Sequence, residues 1–257
     1  MEISFEISEG IAWIKLNRPE VYNAFNRSMA LQMHACLTEA ATAEEVRAVV
    51  ITGNGKAFSA GQDLAEAVAP DGPGLERILK EHYNPIIRSI VSLEKPVIAL
   101  VNGVAAGAGA NIALACDVVI AHEDASFIQA FSKIGLIPDS GGTYFLPRLI
   151  GSQKALALMM TGDKVSAKEA EQMNMIFKAV PADSYETFTT DFVTQIASMP
   201  TKALALTKKA VQLSWFQSLD EQLDTELTLQ VEAGNTADFN EGVQAFLEKR
   251  KPNFTGK

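Results

Sequence analysis

"KPVIALVNGVAAGAGANIALACDVVIA", residues 95–121, decides how the chain is organised. "KPVIALVNG" (95–103) is a short apolar run closed by a turn residue pair and reads as a buried strand. "NGVAAGAGAN" (102–111) is built almost wholly of small residues, which marks a turn where the backbone is approached closely. "GANIALAC" (109–116) continues with a helical pattern, and "CDVVIAHE" (116–123) is a second buried strand. Strand, small-residue turn, helix, strand is the grammar of an α/β fold with largely parallel pairing.

Working outward, the same grammar recurs. "ISFEIS" (3–8) alternates at period two, Glu9-Gly10 turns, and "IAWIKLN" (11–17) returns as a hairpin partner. "SMALQMHACLTEAA" (28–41) places apolar residues at helical spacing behind Ser28, the expected N-cap. "RAVVITG" (47–53) is a strand followed by a second small-residue turn, "GKAFSAGQDL" (55–64). A helical pattern over residues 74–93 is expected to break at Pro85. Residues 152–162 and 166–174 read as helices ended by Gly162 and Asn174. Beyond Pro200 the strands stop. "KALALTKKAVQLSW", "LDEQLDTELTLQVEAG" and "FNEGVQAFLEKRK" are successive helical patterns. The expected division is a core over residues 1–198 and a helical region over 199–257, too small to bury enough surface alone.

Bulk properties exclude several classes. The 257 residues carry a net charge of −9, which leaves no basic excess for nucleic acid. Cys36 and Cys116 are too few and too isolated for a disulfide framework or a zinc site. Both lie in Ala/Leu-rich stretches, which points to reduced thiols and a cytoplasmic protein. His34, His82 and His122 share no metal-like spacing, so no metal is expected. The first residues lack the pattern of a signal peptide, and no apolar run approaches the ~20 residues of a membrane span.

Both small-residue turns follow strands, a position where backbone N–H groups can face a ligand. Gly107-x-Gly109 is half of a dinucleotide fingerprint, but Ile112 stands where the third glycine belongs. Neither turn is followed by a Walker Lys-Ser/Thr, and Ser59 and Ser140 lack the G-x-S-x-G context of a hydrolase. Two N–H-presenting turns suit an oxyanion hole, which binds charge developing on a carbonyl oxygen. "IGLIPDSGGTYFLPR" (134–148) adds Asp139, by itself either an ordinary turn aspartate or a working carboxylate.

"AFSAGQDL" (57–64), the 95–121 stretch and "FSKIGLIPDSGGTYFLPRLIG" (131–151), in that order and separation, resemble the crotonase (enoyl-CoA hydratase/isomerase) superfamily. The likeness runs from "IKLNRPEVYNAFN" to "EGVQAFLEKRKPNF", nearly the whole chain. It implies an α/β, crotonase-like spiral of ββα units with a C-terminal helical trimerisation region. It also implies an acyl-CoA substrate, a homotrimer or a hexamer made as a dimer of trimers, and no cofactor beyond the coenzyme A of the substrate. By resemblance the oxyanion donors are the N–H groups of Gln62 and Ala108. The two glutamates that hydratases of the family use fall on Asn111 and Phe131, neither of which exchanges a proton. Isomerases lacking both glutamates can use an aspartate at the position of Asp139, and the third motif most resembles ring-1,2-epoxyphenylacetyl-CoA isomerases of phenylacetate breakdown. The resemblance further implies a pocket lined by Asn111, Phe127, Phe131 and Tyr144. It sets Ala60, Gln62, Asp63 and Leu64 along coenzyme A, with Arg18, Phe246 and Lys249 at its phosphates or adenine, the last two from a neighbouring subunit. An unusual hydratase, an aryl-CoA dehalogenase with Asp139 as nucleophile and a non-catalytic acyl-CoA-binding partner are the competing expectations.

Overall fold

A computed structural model describes residues 1–257. Ten strands form two sheets. The larger holds β1 (Ile3–Ser8), β2 (Ile11–Leu16), β3 (Ala48–Gly53), β5 (Val97–Val101), β7 (Val118–His122) and β10 (Lys178–Val180), in that spatial order. The smaller holds β4 (Ala57–Ser59), β6 (Val104–Ala106), β8 (Ser126–Ile128) and β9 (Lys164–Ser166). Only β1/β2 and β8/β9 pair antiparallel; every other ladder is parallel. Glu9 and Gly10 both have positive φ, 53° and 76°, which lets a two-residue loop close the β1–β2 hairpin without splaying it.

The chain passes three times from a large-sheet strand to a small-sheet strand to helical structure: β3 to β4, β5 to β6, β7 to β8. This is the ββα spiral implied by the sequence motifs. The central strands lack alternation because both of their faces are covered. Val49, Ile51, Val97 and Ala99 point into the main core, whereas Val50, Ile98 and Leu100 point to a second cluster with Val193 and Ala197. Those last two belong to α9 (Tyr185–Ser198), which roofs the outer face of the large sheet.

The helices of the core are α1 (Arg27–Thr42), α2 (Leu64–Ala67), α3 (Gly74–Arg77), α4 (Asn84–Ser92), α5 (Ala108–Leu114), α6 (Gly142–Ile150), α7 (Ser152–Thr161), α8 (Ala167–Gln172) and α9. Two expectations need correction. The N-cap of α1 is Asn26, whose side chain accepts the Met29 N–H at 2.8 Å, and Ser28 lies inside the helix. Pro85 does not break the 74–92 segment: α3 and α4 join through a π-wound stretch, Ile78–Tyr83. The wider turn ends just before Pro85, so the proline's missing N–H falls where α4 begins.

After the Met199-Pro200 link come α10 (Thr201–Ser214), α11 (Leu219–Gly234) and α12 (Ala237–Glu248). Lys208 fastens α10 to the core, donating to the Ile90 carbonyl at 2.8 Å and pairing with Asp117 at 2.9 Å. The final residues return to the core: the N–H groups of Thr255 and Gly256 donate to buried Asp238, and Arg47 donates to the carbonyls of Met199 and Phe254. Leu223, Leu227, Val231, Phe239, Val243, Phe246 and Leu247 of α11 and α12 stay exposed. No helix is long and apolar enough to cross a membrane.

Candidate active site

The turn after β4 is held by the segment before α1. Phe25 donates its N–H to the Gly61 carbonyl at 2.7 Å and accepts from Asp63 at 2.9 Å, while Ala60 donates to Tyr22 at 2.9 Å. Buried Asn23 ties this segment down, its Nδ2 donating to the carbonyls of Asn54 and Ala57. Clamped on both sides, Gln62 nonetheless offers an N–H that no acceptor in the chain takes.

The turn after β6 lies directly against it. A Cβ on Gly61, whose φ is +89°, would stand 2.8 Å from the Ala106 oxygen and 3.2 Å from the Ala108 nitrogen. A Cβ on Gly109 would stand 2.5 Å from the Ser59 oxygen. Two glycines thus allow the turns to touch, and that contact sets the Gln62 turn against the Ala108 amide. Ala108 opens α5, so no intrahelical carbonyl can take its N–H. Gly107, at φ 53° and ψ −126°, orients this turn and is tied to Ile128 by its own N–H at 2.8 Å.

Asp139 sits on the turn between a 3₁₀ segment, Ala130–Ile134, and α6. Ser140 and Gly141 take left-handed conformations, φ 51° and 75°, to make the bend. The Asp139 carbonyl accepts two hydrogen bonds at 2.8 Å, from the Gly142 N–H and from Asn111 Nδ2. Its carboxyl is half-buried and accepts from Ser140 Oγ at 2.8 Å. Burial raises its pKa above the ordinary 3.8, and the Ser140 hydrogen bond pulls the other way. A carboxylate of raised proton affinity is suited to take a proton from carbon and give it back.

Tyr83, from the π-wound stretch, connects the two parts. Its hydroxyl donates to Gln62 Oε1 at 2.9 Å. Burial holds the phenol proton well above its usual range, with the charge of Asp139 adding to the effect. Neighbouring His82 is also buried, neither ring nitrogen has a partner, and burial lowers its pKa.

Of the residues expected in the pocket, Phe131 is 6% exposed and its ring stands 3.8 Å from where a Gly107 side chain would begin. Phe127 is 2% exposed and packs in the main core cluster, as does Ala108. Asn111 is 0% exposed, with its amide turned to the Asp139 carbonyl and to Gln129 rather than to open space. Tyr144 packs on Phe145, Trp215 and Phe216, under the Arg148 guanidinium at 3.9 Å. It lines a cavity of about 650 Å³ between α6, β7 and α10.

The expected coenzyme A contacts divide likewise. Ala60 and Leu64 are exposed beside the Gln62 turn. Asp63 caps α2 through the Ala65 N–H at 3.1 Å. Arg18 is not a free cation: it pairs with Asp63 at 3.0 Å and Glu2 at 3.4 Å and donates to the Ala24 carbonyl, which commits it to holding the turn. Phe246 lies on the surface of α12 and is 82% exposed, and exposed Lys249 caps its C-terminal end. No group of three or more His, Cys, Asp and Glu side chains is arranged to hold a metal ion. Tyr83 and Gln129 are site residues that the sequence did not single out; the polar "KEHYNP" (80–85) within a helical pattern was the one signal for Tyr83.

The family description "Enoyl-CoA hydratase/isomerase" matches residues 6–257. The chain belongs to that family. A Rhodobacter capsulatus relative named "Probable enoyl-CoA hydratase" is 49% identical over 255 residues, 99% of this chain and 98% of that protein. The 1,2-epoxyphenylacetyl-CoA isomerase of Escherichia coli is 44% identical over 254 residues, 98% and 97% of the two chains. The crystal structure of an enoyl-CoA hydratase from Bacillus anthracis superposes with a TM-score of 0.95 at 33% identity, covering 100% of both chains. The fold is thus that of the crotonase superfamily, and family membership makes this chain an acyl-CoA hydratase/isomerase.

Proposed function

We propose that the chain is an isomerase that shifts a double bond in an acyl-CoA thioester, with Asp139 as its single acid–base group. The observation that carries this reading is the half-buried Asp139 carboxyl of raised pKa on a pinned turn. It stands with an Asn and a Phe, Asn111 and Phe131, at the positions of the two hydratase glutamates. Neither can activate water, whereas moving one proton between two carbons needs one base.

The thioester oxygen would accept the Gln62 and Ala108 N–H groups. Asp139 removes a proton from the carbon next to the carbonyl of a 3-enoyl thioester. The electron pair enters the dienolate, whose oxygen charge the two amides stabilise, each worth about 2.7–4 kcal/mol in such sites. The carboxylic acid then returns the proton two carbons further along, leaving the 2-enoyl thioester; nothing is gained or lost. The likeness to the E. coli enzyme favours a ring 1,2-epoxide of phenylacetyl-CoA, for which the same proton shift accompanies expansion to an oxepin. The exposed apolar faces of α11 and α12 are assigned to contacts between copies of the chain, in a trimer or hexamer.

The test gives purified protein 3-hexenoyl-CoA and 2-hexenoyl-CoA in separate reactions. Conversion of the first to the second, without 3-hydroxyacyl-CoA from either, is expected. Rapid hydration of 2-hexenoyl-CoA without isomerisation of the 3-enoyl thioester would replace this reading with the hydratase one.

A further inference from the structure

Asn111 and Gln129 are among the few fully buried polar side chains, at 0% and 4% exposure. Burying a primary amide is unfavourable unless its groups are paired, and an apolar residue could fill either volume more cheaply. What the two amides do is written in their hydrogen bonds. Gln129 Nε2 donates to Asn111 Oδ1 at 2.8 Å, and Asn111 Nδ2 donates to the Asp139 carbonyl at 2.8 Å. The direction is forced: a peptide carbonyl only accepts, so Asn111 must present its nitrogen to Asp139 and its oxygen to Gln129. At the far end Gln129 Oε1 is left buried and unpartnered.

We infer that Gln129 and Asn111 form a buried two-amide strut that positions the Asp139 turn for proton transfer. The strut deepens the isomerase reading above and rests on it. It runs from the residue before the 3₁₀ segment, through α5, to the turn ahead of α6, so it links the element bearing the Ala108 amide to the one bearing the base. The fit has no slack, since a Cβ on Gly142 would lie 2.3 Å from Asn111 Nδ2. The turn also needs a tether, because Ser140, a residue with a side chain, holds φ +51° there. The strut assigns Asn111 a role quite unlike that of a glutamate at the same position: it acts on the base through the backbone and does not touch substrate.

The test compares wild type, Gln129→Met, Asn111→Leu and Asp139→Asn on 3-hexenoyl-CoA, following kcat, KM and the pH dependence of kcat. Gln129→Met keeps the side-chain volume and removes the donor. It should lower kcat about tenfold with KM little changed, and Asn111→Leu about 10- to 100-fold, because a small misplacement of a reacting group is costly. Freed from the strut, the carboxyl gains water, so the acid limb of kcat should move to lower pH in both variants. The titratable group facing Asp139 from another element is Tyr83, which burial keeps neutral over this range. Wild-type kcat and an unmoved acid limb in folded Gln129→Met would overturn the strut. Failure of Gln129→Met to fold would overturn it too, by showing that the amide supports the core rather than the turn. An Asp139→Asn protein as active as wild type would instead overturn the isomerase reading itself.

Discussion

The Gln62 turn and the Asp139 turn serve the proposed reaction by opposite means. The first contributes a backbone N–H and is built from glycine contacts, so its chemistry follows from the path of the chain. The second contributes a side chain, and its chemistry follows from one residue and the hydrogen bonds that hold it. On the proposed mechanism the difference teaches how one fold can host several reactions: the enolate-stabilising half would come with the fold, and the proton-handling half would be rewritten by substitution.

The harshest way to break the first turn is Gly61→Ala. Its Cβ would collide with the Ala106 oxygen at 2.8 Å in a backbone conformation, φ +89°, that side chains avoid. Losing the alignment of one amide should cost about 100- to 1,000-fold in kcat, measured by the rise of 2-enoyl-CoA absorbance. Gly142→Ala attacks the second turn by pushing on Asn111 Nδ2, and about 10- to 100-fold is expected, with binding of a saturated acyl-CoA retained.

A stability effect separates the turns further. Asp139 has a folded-state pKa above its unfolded value, so folding favours its protonated form. Its stabilising contribution is present below the unfolded pKa and is lost as pH rises through the folded one. At pH 7 the ionised carboxylate is therefore a burden on the fold. Asp139→Asn should raise Tm at pH 7 and lose that advantage at a pH below the unfolded carboxyl pKa. No rise at pH 7 would mean that the carboxyl is better solvated than its burial implies. The smallest effect is expected of Gln62→Ala. The backbone amide stays and only the side-chain hydrogen bonds from Tyr83 and to the Asp63 carbonyl are lost, so kcat should change by less than about threefold. A larger loss would move Gln62 from a backbone donor to a side-chain participant.

Much of the architecture is legible in the sequence because the central large-sheet strands are apolar runs and the β1–β2 hairpin alternates at period two. The small-sheet strands are not, since β4, β6 and β8 are three residues each, too short for any period to register. Helix α9 hides because Tyr, Thr, Phe and Val fill it, residues that favour strands when read locally; its packing on the sheet overrides them. For the candidate site, ordered motifs are what single out Gln62, Ala108 and Asp139. Arg18 and Tyr144 show what motifs omit: each has a chemistry fit for ligand contact, but tertiary partners 45 and 71 positions away, Asp63 and Trp215, take it up. Gln129 has no motif at all, because its importance exists only once Asn111 is folded against it.

The central claim is that Asp139 carries the proton. The most direct measurement follows conjugation and deuterium uptake by a 3-enoyl-CoA in deuterated water, with wild type and Asp139→Asn side by side and acyl-CoA binding measured for both. Isomerisation and exchange in the wild type, both lost in Asp139→Asn while binding persists, is the predicted result. An Asp139→Asn protein that isomerises as fast as wild type would contradict the account and leave Asp139 a turn residue.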